Sequence, residues 1–88
     1  MRKRAIAPTV YRFTVVIEAD ARGGYYAFCP ALPGCYSQGE TLEETKANIC
    51  EAIQCHAESL LKDGEPIPQE REEFVGTIQV RVPAPNGR

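Results

Sequence analysis

What the chain lacks narrows its function before any motif is read. It has one histidine, His56, so a nucleophile–base pair has little material to draw on. Its cysteines at 29, 35, 50 and 55 contain no C-x-x-C. Cys50 and Cys55 would lie about 140° apart on a helix and could not hold one metal from a shared face. No apolar run is long enough to cross a membrane, and Ala5-Ile6-Ala7 before Pro8 is too short for the core of a signal peptide. A cytoplasmic protein with free thiols is the expectation. Glycine-rich phosphate loops are absent, since Gly23-Gly24 alone reads as a turn. Outside the acidic second half only Glu18 and Asp20 supply carboxylates, and both fall at one strand end. Carboxylates for acid–base or two-metal work therefore do not converge. No catalytic residue, metal or cofactor is expected. His56 falls on the apolar side of a helix, with Cys55 pointing about 100° away, and reads as a core or interface histidine.

Charge adds a second exclusion. The net charge is −2, yet residues 40–73 carry ten acids against three bases, while the rest carries two acids against seven bases. An isoelectric point near 5.4 argues against a general nucleic-acid binder. The acidic stretch suits a solvated helix face, or attraction of a basic partner.

What is present is dense punctuation. Tyr11, Phe13, Val15 and Ile17 alternate with polar neighbours, which predicts a half-buried first strand over 11–18. A polar loop ending in Gly23-Gly24 leads to an aromatic second strand over 25–29. Leu32-Pro33-Gly34-Cys35 suits a type II turn, with proline presetting φ and glycine accepting a positive one. A short third strand over 35–38 is closed by Gly39. Thr41-Leu42-Glu43-Glu44 fits a capping box, the threonine accepting from the N3 amide and Glu44 reaching back to the cap amide. The helix should run to about Lys62, ended by Asp63-Gly64. Leu42, Thr45, Ile49, Ala52, Ile53, His56 and Leu60 fall on one side, with Glu44, Glu51 and Glu58 opposite and Glu58–Lys62 as an i,i+4 pair. A linker with two prolines spans 65–73, and alternating Ile78, Val80 and Val82 predict a fourth strand over 74–82.

The order β-β-β-α-β gives an α+β fold, a three-stranded antiparallel meander with one helix across a face and a final strand placed beside the first. Residues 1–88 read as a single domain, with a core at about 9–82, a flexible basic N-terminal arm and a proline-rich C-terminal tail. Such a sheet leaves one face bare and its edges unpaired, so self-association is the natural remedy, and the linker permits strand exchange between protomers.

The run Tyr26-Ala27-Phe28-Cys29-Pro30-Ala31-Leu32-Pro33-Gly34-Cys35, followed by Gly39, Thr41 and Glu43-Glu44, resembles the HicB-like antitoxin family over roughly residues 11–68. The resemblance implies a partial ribonuclease-H-like fold without the nuclease carboxylates. It also implies a homodimer or homotetramer that binds and silences a HicA-type toxin, a small mRNA-cleaving ribonuclease. A basic partner of that kind complements the acidic segment. The residues expected to meet it are Tyr26, Phe28, Pro30, Leu32, Glu44, Glu51 and Glu58, with Pro33, Gly34, Gly39 and Thr41 as the structural motif. Many HicB antitoxins append a helix-turn-helix or ribbon-helix-helix module. Six residues follow Val82, too few for either, so direct DNA binding is not expected. A second reading is a solitary oligomeric module that binds a small ligand or single-stranded RNA, stacking it on Tyr25, Tyr26, Phe28 and Tyr36.

Overall fold

A computed structural model describes residues 9–68 and 74–85. The expected basic arm at 1–4, linker residues 69–73 and the last three residues of the tail lie outside the described residues. Three strands, β1 (Val16–Ala19), β2 (Tyr25–Phe28) and β3 (Tyr36–Gly39), precede one helix, α1 (Leu42–Lys62). The strands form an antiparallel sheet in the order β1-β2-β3. The α+β class and the meander agree with the sequence.

Both reversals have the expected chemistry. At the β1–β2 hairpin, the Gly23 amide donates to the Asp20 carbonyl at 2.9 Å and Gly24 adopts φ +75°. Between β2 and β3, the Cys35 amide donates to the Leu32 carbonyl at 2.9 Å and Gly34 sits at φ +85°. That is the type II turn set by Pro33 and Gly34. The Cys29 amide bonds the Cys35 carbonyl at 3.1 Å and closes the loop at its base.

The first strand is shorter than its alternation suggests. β1 pairs with β2 only from Val16↔Phe28 to Ala19↔Tyr25, because β2 stops before Pro30, which has no amide to continue a ladder. Phe13 and Val15 still pack against the core. The helix opens as a capping box: the Thr41 hydroxyl accepts from the Glu44 amide at 3.0 Å. Glu44 reaches one residue further back than expected, its Oε1 accepting from the Glu40 amide at 2.8 Å. At the far end Gly64 (φ +72°) and Glu65 donate to the Leu61 and Leu60 carbonyls, a Schellman motif that terminates α1.

The helix packs chiefly on β3 and β2 and only lightly on β1. Thr45 is fully buried, its hydroxyl donating to the Thr41 carbonyl at 2.7 Å. A Cβ at Gly39 would lie 2.7 Å from Thr45 Oγ1 and 2.8 Å from the Thr45 amide nitrogen, so glycine there permits the helix to sit against β3. Asn48 adds a bond from Nδ2 to the Gln38 carbonyl at 2.7 Å. The buried cluster is small: Ala27, Cys29, Leu32, Cys35 and Ile49. It sits at the turn end of the sheet. Burial pushes the Cys35 thiol above its ordinary pKa, with the neighbouring Cys29 adding to the effect.

Three expectations are corrected. Leu42, expected on the apolar side, is 45% exposed at the first residue of α1. Glu58 takes no ion pair from Lys62: its Oε2 accepts from Gln54 Nε2 at 3.3 Å, and the one ion pair among the described residues is Arg22–Asp20 at 3.5 Å. Residues 74–82, expected as a fourth strand beside β1, join no ladder and are exposed throughout. Ile67 is buried, flanked by Pro66 and Pro68, which have no amide to donate to a ladder.

Replacing Gly39 by alanine is predicted to cost about 1–3 kcal/mol through overpacking against Thr45. Urea unfolding checks this, with Gly34→Ala as a comparison in which nothing lies within 4 Å of the new Cβ and only φ strain acts.

Candidate functional site

The ladder register sorts side chains to the two faces of the sheet. Ile17, Ala27 and Ser37 stand opposite one another and face α1. Val16, Phe28 and Tyr36 form one row on the other face, and Glu18, Tyr26 and Gln38 form a second. Among the described residues nothing covers that outer face. Tyr26 and Phe28 are each 38% exposed and Tyr36 is 73% exposed. The result is a patch of three aromatic rings, with Val16 completing its apolar part. Glu18 is the one charged side chain in the two rows, and no cation accompanies it. Phosphate-bearing ligands therefore meet the wrong sign there.

Tyr26 donates its hydroxyl proton to the Glu18 carboxylate across the β1–β2 pair. This hydrogen bond, reinforced by the Glu18 charge, raises the Tyr26 pKa above the ordinary tyrosine value. The phenol is held protonated and oriented, leaving its ring to offer a flat amphipathic contact.

The sequence-derived residues fall in three places. Tyr26 and Phe28 lie on the outer sheet face and Pro30 is exposed at the turn that follows. Leu32 is 1% exposed and belongs to the core, since the type II turn folds it inward beneath the hairpin. Glu51 and Glu58 are exposed on α1, the layer behind the sheet. Glu44 is engaged in the helix cap. The aromatic and acidic sets thus face opposite sides of a two-layer molecule, and one flat partner surface cannot cover both. Of the structural motif, Pro33, Gly34, Gly39 and Thr41 all occupy the turn, close-approach and cap positions described above.

Tyr36, absent from the toxin-binding set but named in the second reading, joins Tyr26 and Phe28 on the outer face, whereas Tyr25 of that reading lies in the Ala19–Tyr25–Gly39 row on the helix side. The signal was available in the turn: a type II turn closed by Cys29 and Cys35 places Phe28 opposite Tyr36. Val16 follows from the hairpin in the same way.

Beside the hairpin loop a polar hollow of about 480 Å³ gathers Asp20, Glu40 and Glu44. Two of these carboxylates have structural work: Asp20 Oδ1 accepts from the Arg22 amide at 2.9 Å, and Glu44 is in the cap. The amide bond lowers the Asp20 pKa, so its contribution holds above the unfolded value of about 3.9 and fades as pH falls through the folded one. His56 is half-buried on α1. A separate apolar groove runs between residues 9–15 and α1, with volumes of about 300 Å³ and 670 Å³ along it, and Tyr11, Phe13, Cys50 and Ile53 line both parts. Among the described residues no helix is long and apolar enough to cross a membrane.

The family model for the HicB-like antitoxin of bacterial toxin–antitoxin systems matches residues 13–80. A UPF0150 protein of Synechocystis is 51% identical over 61 residues, covering 69% of this chain and 77% of the relative. A UPF0150 protein of Thermoplasma acidophilum is 47% identical over 64 residues, covering 73% and 93%. Another, of Archaeoglobus fulgidus, is 39% identical over 73 residues, covering 81% and 94%.

Replacing Glu18 by glutamine is predicted to bring the Tyr26 pKa down toward the ordinary value of about 10. A tyrosinate absorbance titration, with Tyr26→Phe to assign the step, reads the change. Because the folded value is raised, the stability from this contact is complete below the unfolded pKa and is lost as pH rises through the folded one.

Proposed function

This chain belongs to the HicB-like antitoxin family, and from that premise we propose that it is a non-catalytic antitoxin that binds and neutralises a HicA-type mRNA-cleaving toxin. The observation that carries the reading is the family match across residues 13–80. The surface best suited to such a partner is the outer sheet face. Tyr26, Phe28 and Tyr36 are rigid aromatic anchors at the centre of a face that the chain itself leaves uncovered, the composition typical of the few residues that dominate a protein interface. Inhibition is then steric: the toxin's RNA-cleaving surface is occluded by a protein face, and no covalent step is required.

The acids on α1 play a different part. Glu51 and Glu58 point away from the sheet, so they act at a distance, drawing a basic partner toward the molecule and raising its association rate. The antitoxin acts where its toxin acts, in the cytoplasm. A partial ribonuclease-H-like fold, with its fourth strand supplied by residues 74–82, is part of the same reading.

Mixing the chain with a HicA-type toxin is predicted to give a complex that survives gel filtration and stops RNA cleavage. Tyr26→Ala combined with Phe28→Ala should weaken that complex by about 2 kcal/mol or more. Glu51→Lys should act mainly on the association rate and its salt dependence. Continued RNA cleavage with no co-eluting complex contradicts the proposal.

A further inference from the structure

Two of the four cysteines face one another across the sheet. The register that pairs Phe28 with Tyr36 carries one step further to set Cys29 opposite Cys35. Opposite residues share a face, and this pair lies on the helix side, 2% and 5% exposed within the core cluster. The Cys29 amide donates to the Cys35 carbonyl at 3.1 Å. Hydrogen-bonded antiparallel partners hold their Cα atoms about 5.5 Å apart, inside the span of about 4.4–6.8 Å that disulfides bridge. Burial raises the Cys35 pKa and the neighbouring Cys29 raises it further, which puts the two sulfur atoms within electrostatic reach. Both are thiols in the structure, whereas Cys50 and Cys55 are exposed on α1.

We propose that Cys29 and Cys35 form a reversible modification site, closed to an intramolecular disulfide by a low-molecular-weight disulfide such as oxidised glutathione. A thiolate of the pair attacks one glutathione sulfur, breaking the oxidant's S–S bond and releasing one glutathione. The second cysteine, as thiolate, then attacks the protein sulfur of that mixed disulfide and releases the other. Two protein S–H bonds are lost, one S–S bond forms, and the oxidant leaves as two thiols that carry the protons.

The cover over the pair is local. Leu32 is 1% exposed and plugs the loop, its amide donating to the Cys29 carbonyl at 3.0 Å and its carbonyl accepting from the Cys35 amide at 2.9 Å. Pro30, Pro33 and Gly34 around it are exposed. Opening this one turn admits the oxidant without unfolding the sheet. Buried thiols are slow nucleophiles, so the reaction waits on that opening and runs more slowly than at Cys50 or Cys55. Opposite Cβ atoms lie about 4.5–5.5 Å apart and a disulfide needs about 3.5–4.5 Å. Closing the bond therefore draws β2 and β3 together beneath Phe28 and Tyr36, and a bond formed against such resistance is readily reduced again. The site stands on the geometry of the turn and is independent of toxin binding.

The test uses the full-length chain in its thiol form, incubated with oxidised glutathione, blocked with an alkylating reagent and digested with trypsin. Cleavage after Arg22 and Lys46 puts Cys29 and Cys35 in one peptide, and cleavage after Lys62 puts Cys50 and Cys55 in the next. The 23–46 peptide is expected without alkyl or glutathione groups and lighter by two hydrogens than its dithiol. Excess reduced glutathione should restore both alkylation sites. This bridge should outnumber all others at least about tenfold in the folded chain, a preference lost in urea. Alkylation of both Cys29 and Cys35 after prolonged oxidation that has saturated Cys50 and Cys55 overturns the proposal. So do glutathione left on Cys29 or Cys35, a bridge to another peptide or chain, or the same mixture of bridges in urea. Cys35→Ser should leave glutathione trapped on Cys29, and the unsubstituted chain decides by itself if that variant fails to fold.

Discussion

The close approach of α1 to β3 is the constraint on which the rest of the structure depends. Thr45 packs over Gly39 so tightly that a methyl group at that position would fall within 2.8 Å of helix backbone. Thr41 caps the helix just beyond the strand, and Asn48 ties its next turn to the Gln38 carbonyl. The helix is thereby fixed toward the β3 side of the sheet, its contact with β1 correspondingly light. One buried threonine and one glycine decide where the helix lies. An apolar groove on the β1 side is the geometric consequence.

That off-centre placement divides the molecule into surfaces with separate tasks. The sheet's outer face keeps Tyr26, Phe28 and Tyr36 in register, and the Glu18 contact fixes one of those rings. The exposed side of α1 carries the acids, too distant from the rings to share a flat contact with them. The β1 flank is apolar and incomplete. A small core that sits at the turn end of the sheet leaves little to hold this flank closed alone, which is the usual position of short chains with modest buried area.

Local chemistry was legible in the sequence and long-range pairing was not. Pro33-Gly34, Gly23-Gly24, Thr41 and Gly64 each act within a few residues through a fixed φ, a positive φ or a single hydrogen bond, and each appears where the spacing predicts, with Glu44 displaced by one residue to the Glu40 amide. The alternation of Tyr11, Phe13 and Val15 correctly gave their inward face. It could not give the length of the ladder, which depends on where the neighbouring strand stops. The alternation of 74–82 likewise marks an apolar face without giving a pairing, and these residues stand exposed. Leu32 shows the reverse error: a motif residue read as surface is drawn into the core by the turn it belongs to. The aromatic patch was half legible, since Tyr26 and Phe28 alternate on one strand while Tyr36 joins them only through register.

With α1 held on the other layer, the outer face of the sheet stays uncovered and keeps its aromatic rings exposed. Amide hydrogen exchange on the chain with and without the proposed toxin partner tests that face most directly. Added protection over β1, β2 and β3 is the predicted result. Protection confined to α1 would contradict it.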